Sequence, residues 1–191
     1  MIDQPYMQTL KAHLHSYAEL RREVITISGA ALHVAKRAIF SMHRLDMKEA
    51  EKKIAEAKEG LKRVQKLAKK QPKLLGEGSY KAALEEYVEA VLFMRFMKKK
   101  PIGPIKGMPI SEEIYIAGLG DVPGELYRYA IRSATEGNAD EVKRAHEQGS
   151  AIIESLMECD LTKYLRTKFD QAKSALQKLE IVMYELKIRE K

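Results

Sequence analysis

Ser111–Gly137, SEEIYIAGLGDVPGELYRYAIRSATEG, is the stretch whose reading decides the fold. Ser111 is a helix N-cap by type, and Glu112 and Glu113 follow in the first turn, where the helix dipole favours negative charge. Gly137 suits the residue just past a helix C-terminus. The middle is at odds with these ends, because Gly118, Gly120, Pro123 and Gly124 fall within seven residues. Three interior glycines and a proline cost roughly 6 kcal/mol of helix propensity. A local rule broken this strongly points to close helix packing, to a functional site, or to both. Asp121 and Glu125 lie inside the weak span, four apart and so on one helical face.

Outward from this segment the same period continues. Leu10, Leu14, Tyr17, Leu20, Val24, Ile27, Ala31, Val34, Ala38, Phe40 and Met42 recur at helical spacing, and predict one long helix from Pro5 to about Leu45. Asp46 is expected to cap a second helix to about Ala68, with Ile54, Ala57, Leu61, Val64 and Ala68 buried. Its basic end, with Lys62, Lys66, Lys69, Lys70 and Lys73, reads first as a solvated face. A turn over Gln71–Gly78 leads to Ser79, the expected cap of a third helix over Tyr80–Lys99. The loop KPIGPIKGMPI separates this helix from the opening segment. Two more helices are expected, over Ala139–Glu158 and from Asp160 to the C-terminus. No segment alternates as a strand does. The expected fold is all-α, a multi-helix bundle of six to seven long helices in a single domain over residues 1–191.

Composition narrows the function. Hydrophobic residues make up 45% and charged residues 32% of the chain, which fits a helical globular protein. No run of 18 apolar residues suggests a membrane span, and the N-terminus lacks the apolar block of a signal peptide. A single cysteine, Cys159, excludes an internal disulfide and is expected in the core. A cytoplasmic location is expected. The net charge of +7, from 34 Lys and Arg against 27 Asp and Glu, hints at a polyanionic partner. No nucleophile elbow, Walker loop, dinucleotide fingerprint or Glu-x-x-His pair is present.

The carboxylates carry the sharper signal. On the third helix Glu86 and Glu89 lie three apart and head a stripe that continues through Ala90, Phe93 and Met97, whereas Glu85 is expected to point outward. Should this helix pack beside Ser111–Gly137, Glu86, Glu89, Asp121 and Glu125 converge, with Arg128 and Arg132 on the same face. Four clustered carboxylates cannot all stay ionised without a cation. Oxygen donors without His or Cys favour Mg²⁺ or Mn²⁺. Spacing alone leaves a second reading open, in which these are surface acids paired with Arg95 and Arg128.

Several local patterns resemble the translin family, on the side typified by translin-associated factor X (TRAX). They are Glu86-Tyr87-Val88-Glu89-Ala90-Val91 with Phe93; Tyr115 and Gly118 leading to Asp121, Gly124-Glu125-Leu126 and Arg128; the closing run from Leu179 to Arg189; and Ala35-Lys36-Arg37-Ala38-Ile39-Phe40 through His43-Arg44. The resemblance implies an α-helical subunit of a hollow octamer that encloses RNA, single-stranded or in short duplexes. It also implies a Mg²⁺-dependent endoribonuclease with Glu86, Glu89, Asp121 and Glu125 as metal-binding and catalytic acids. The shell would be a homo-oligomer or include a translin-like partner subunit. Lys36, Arg37 and Arg128 are the candidates for holding the RNA backbone. Pro123 departs from the family pattern and is expected to kink the helix between two of the acids.

Overall fold

The computed structural model describes residues 1–189. It contains six α-helices: α1 (Gln4–His43), α2 (Met47–Ala68), α3 (Gly78–Met97), α4 (Glu112–Thr135), α5 (Ala139–Met157) and α6 (Lys163–Arg189). A 3-10 turn over Pro72–Gly76 leads into α3, and no strand occurs among the described residues. The all-α expectation therefore holds.

Several of the ends are set by the expected chemistry. Asp46 accepts from the Glu49 amide at 3.1 Å, Ser111 from the Ile114 amide at 3.4 Å and Asn138 from the Glu141 amide at 3.3 Å. Gly137 takes the left-handed conformation, with φ +74°, that ends α4. Three expectations fail. Ser79 is not a cap: α3 begins at Gly78, and the Ser79 hydroxyl is buried without a hydrogen-bond partner. Asp160 does not begin the last helix, which starts at Lys163. Cys159 is exposed rather than in the core.

α1 packs along α2 and α3, and α4 packs along α5 and α6. α3 joins the two halves by lying against both α1 and α4. Its burial follows from its sequence. Tyr80, Leu84, Tyr87, Val88, Leu92, Phe93 and Phe96 point in several directions, and all are buried. A helix apolar on every side is a core helix. The odd members of that surface are its acids.

The glycines of α4 explain its low helix propensity. A Cβ on Gly118 would lie 2.7 Å from Val88 Cγ1 and 2.8 Å from the Glu85 main-chain oxygen, so α3 and α4 can touch only without it. A Cβ on Gly120 would lie 3.3 Å from Lys168 Cβ, where α6 crosses. Pro123 is buried, and α4 runs on through it as one helix. Its missing N–H removes the bond that would reach the Leu119 carbonyl, yet Asp121 and Glu125 stay on a single continuous element.

The first half of α1 departs from its pattern. Leu10 and Leu14 carry the helical period, but no residue before Val24 is buried. The proline-rich loop is fastened rather than free. Arg95 reaches the carbonyls of Gly103 and Pro104, the latter at 2.7 Å, and the Tyr115 hydroxyl donates to Gly103 O at 3.0 Å. Arg95 thus serves the loop and not the acids.

Candidate active site: an acid cleft between α1, α3 and α4

Glu86 and Glu89 project from α3, Asp121 and Glu125 from α4, and the α3–α4 contact brings the four into mutual electrostatic range. Glu89 is 8% exposed. It has no hydrogen bond or ion pair among the described residues, and burial followed by the charges of Glu86, Asp121 and Glu125 pushes its carboxyl up to about 9. Glu86 lies 3.7 Å from Lys36 Nζ. Burial raises its carboxyl to about 7, with Lys36 opposing and Asp121 and Glu125 adding to the rise.

The two α4 acids are held by bases. Glu125 hydrogen-bonds His43 Nε2 through one oxygen and meets Arg128 Nη1 at 3.1 and 3.2 Å. Burial raises the Glu125 carboxyl, but the His43 bond and the Arg128 charge outweigh it and leave the group below its usual value. Asp121 takes both oxygens to Lys168 Nζ, at 2.7 and 2.9 Å. Burial is the largest influence on Asp121, and its carboxyl is raised even against this lysine. Lys168 also lies 2.6 Å from Glu85, which the Tyr164 hydroxyl holds at 2.7 and 2.9 Å. Glu85 therefore faces inward, contrary to expectation, because the close approach at Gly118 turns this side of α3 towards α6.

A cleft of about 250 Å³ is lined by Lys36, Ile39, Phe40, Glu86, Glu89, Glu125 and Arg128. It contains three of the four expected acids and two of the three expected RNA-binding side chains. Asp121 stands behind it, turned to Lys168. Arg37 is exposed and outside the lining. Arg132, expected on the acid face, instead donates to the His43 carbonyl. His43 and Lys168 were not found from the sequence. His43 could have been, since it lies three residues after Phe40 and seven after Lys36, on the same face of α1. Nothing in α6 singled out Lys168 among its basic neighbours.

The donor set fits a hard divalent ion by chemistry: oxygen atoms only, with three carboxyls, Glu86, Glu89 and Asp121, whose proton affinity is raised chiefly by burial. Among the described residues no group of three or more His, Cys, Asp and Glu side chains is already gathered around a single ion position. Lys168, His43 and Arg128 each engage one of the acids, so that gathering requires these pairs to loosen.

The chain belongs to the translin family, whose sequence model matches residues 19–190. An uncharacterised protein of Methanocaldococcus jannaschii is 30% identical over 187 residues, covering 93% of this chain and 83% of that protein. Translin-associated protein X of Mus musculus is 26% identical, covering 96% of this chain and 77% of its own length. Among solved structures, apo-NeC3PO superposes with a TM-score of 0.87 at 25% identity, over 97% of this chain and all of that one. AfC3PO in complex with duplex RNA gives a TM-score of 0.88 at 22% identity, over 96% and 97% of the two chains. The translin resemblance of the sequence is thus confirmed. No helix among the described residues is long and apolar enough to cross a membrane.

Proposed function

We propose that this chain is the subunit of an RNA-binding oligomer that hydrolyses RNA phosphodiester bonds as a Mg²⁺- or Mn²⁺-dependent endoribonuclease. The observation that carries this reading is the convergence of Glu86, Glu89 and Glu125 on one cleft whose rim is Lys36 and Arg128. Family membership and the RNA-bound AfC3PO structure support the choice of RNA. The octameric shell, built from this chain alone or with a translin-like partner, and the cytoplasmic location belong to the same proposal.

Glu86, Glu89 and Glu125 would hold the ion, joined by Asp121 once it leaves Lys168. The chemistry such an ion supplies is a bound water of lowered pKa and charge neutralisation at the phosphate. The chain supplies the rest. Lys36 and Arg128 are placed to hold phosphate oxygens at the cleft mouth, with Arg37 and its exposed side chain along the strand. Glu89, whose carboxyl burial and the neighbouring acids push up to about 9 in the bare site, would hold the ion as a carboxylate, its proton lost on binding. His43 fixes the orientation of Glu125, and its ring is itself fixed against Phe93 at 5.1 Å.

The test is cleavage of an end-labelled RNA with Mg²⁺, with Mn²⁺ and with EDTA, by the protein and by Glu89→Ala and Asp121→Ala. Metal-dependent cutting lost in both variants is the expected result. A second reading, an RNA-binding oligomer without catalysis, draws on the engagement of Asp121 and Glu125 by Lys168, His43 and Arg128. Tight RNA binding with no cutting under either metal would establish it instead.

A further inference from the structure

Phe40 is unusual on its segment of α1. Its neighbours Ile39, Ser41 and Met42 are buried, yet Phe40 is 55% exposed. It lines the same cleft as Glu86, Glu89 and Glu125. The Arg128 guanidinium carbon lies 5.4 Å from its ring centroid. Lys36 and Arg44 stand one helical turn to either side, and Arg37 three residues before, all exposed. A benzene ring framed by four cations and opening on an acid pocket meets two demands at once. Its face offers a stacking surface to any planar π-system, and its rim attracts the phosphates attached to one.

We infer that Phe40 is a stacking platform for an unpaired nucleobase, holding one base of the strand while Lys36 and Arg128 hold the adjacent phosphate. This rests on the RNA reading above and adds to it a base-binding position and a required state of the substrate. In a duplex both faces of an interior base are covered by its neighbours and a terminal base is held in its pair, so only an unpaired nucleotide can be splayed out onto Phe40. The platform reads no sequence, because every base has a π-face. The stacked base would fix which phosphodiester lies over the carboxylates.

The chain contains no tryptophan, so Phe40→Trp places a single indole reporter at the position. Its fluorescence is measured in EDTA against a short single-stranded oligoribonucleotide, the same strand with abasic residues, and a blunt duplex of equal length. The expected result is quenching by the single strand and little by the other two. Phe40→Leu, which keeps an apolar side chain, should bind the single strand about tenfold more weakly and the abasic strand and duplex as before. Absent quenching, equal quenching by the abasic strand, or equal loss of binding to all three in Phe40→Leu would overturn the inference. So would a change in oligomeric mass in Phe40→Leu, which would make Phe40 a contact between copies of the chain. Cleavage tested in Mg²⁺ separates the two readings. Quenching without cleavage sinks the nuclease and leaves the platform, and cleavage without quenching does the reverse.

Discussion

Lys168 Nζ on α6 sits 2.7 Å from Asp121 Oδ2 on α4 and 2.6 Å from Glu85 Oε1 on α3. One half-buried ammonium therefore ties three helices together and occupies an acid on which the proposed chemistry depends. Removing one member of a buried ion pair leaves the other charged and desolvated, typically at 3–5 kcal/mol. Glu85 and Asp121 keep some solvent contact, so Lys168→Met should cost about 2–3 kcal/mol in EDTA at neutral pH. Urea denaturation reads this directly. Mn²⁺ should restore more stability to this variant than to the parent chain, because Asp121 then has no competing partner.

Glu86 and Glu89 on one side and Glu141 on the other set opposite pH limbs. Glu86 and Glu89 have folded-state values of about 7 and about 9, above those of an unfolded chain. The stability linked to them is present below about pH 4.5 and is lost as pH rises through 7 and 9. Glu141 behaves the other way. Burial raises its carboxyl, but bonds from Arg144, Tyr129 and Lys99 outweigh this and bring it to about 2. Its contribution is present above pH 4.5 and is lost as pH falls towards 2. Denaturation in EDTA from pH 3 to 9 should give both limbs. Glu89→Gln should flatten the alkaline limb only.

Gly118 and Gly124 should respond to alanine with opposite signs. At Gly118 the new methyl group meets Val88 and the Glu85 main chain below 3 Å, and overpacking of this kind costs about 1–3 kcal/mol. At Gly124 nothing lies within 4 Å. There the gain in helix propensity should stabilise by about 0.5–1 kcal/mol. Thermal melts of the two variants settle the comparison. Equal losses at both positions would mean that α4 does not approach α3 as described.

RNA affinity should fall steeply with salt. Lys36→Ala and Arg128→Ala should each reduce the log–log salt slope by about 1 while weakening all RNA sequences alike. A filter-binding series between 50 and 300 mM salt measures it, and a slope unchanged in both variants would remove these side chains from the RNA path.

Much of this was legible in the sequence, for identifiable reasons. Asp46, Ser111 and Gly137 act locally, and their chemistry predicted their places. Glu86 and Glu89 betrayed themselves by heading an apolar stripe. Local pattern could not give what distance in sequence conceals. Glu85 turns inward because Gly118, far along the chain, lets α4 approach. Lys168 reaches Asp121 across 47 residues, and His43 reaches Glu125 across 82. Ser79 looked like a cap because it follows a glycine turn, but Glu77 already occupied that position. Leu10 and Leu14 carried the correct period, yet period alone does not tell a face covered by the same chain from one left open.

That open face has its own consequence. α1 has 40 residues, about 60 Å of helix, and its first turns rest on nothing buried. Before Tyr17, where α1 first leans on the core and on Glu77, the amides of residues 4–16 should exchange with deuterium almost as fast as those of a free peptide in an isolated chain, while those beyond Val24 stay protected. Assembly that covers this arm would slow them. The exchange rate of α1's leading turns is therefore a built-in gauge of quaternary state, readable without RNA, metal or activity.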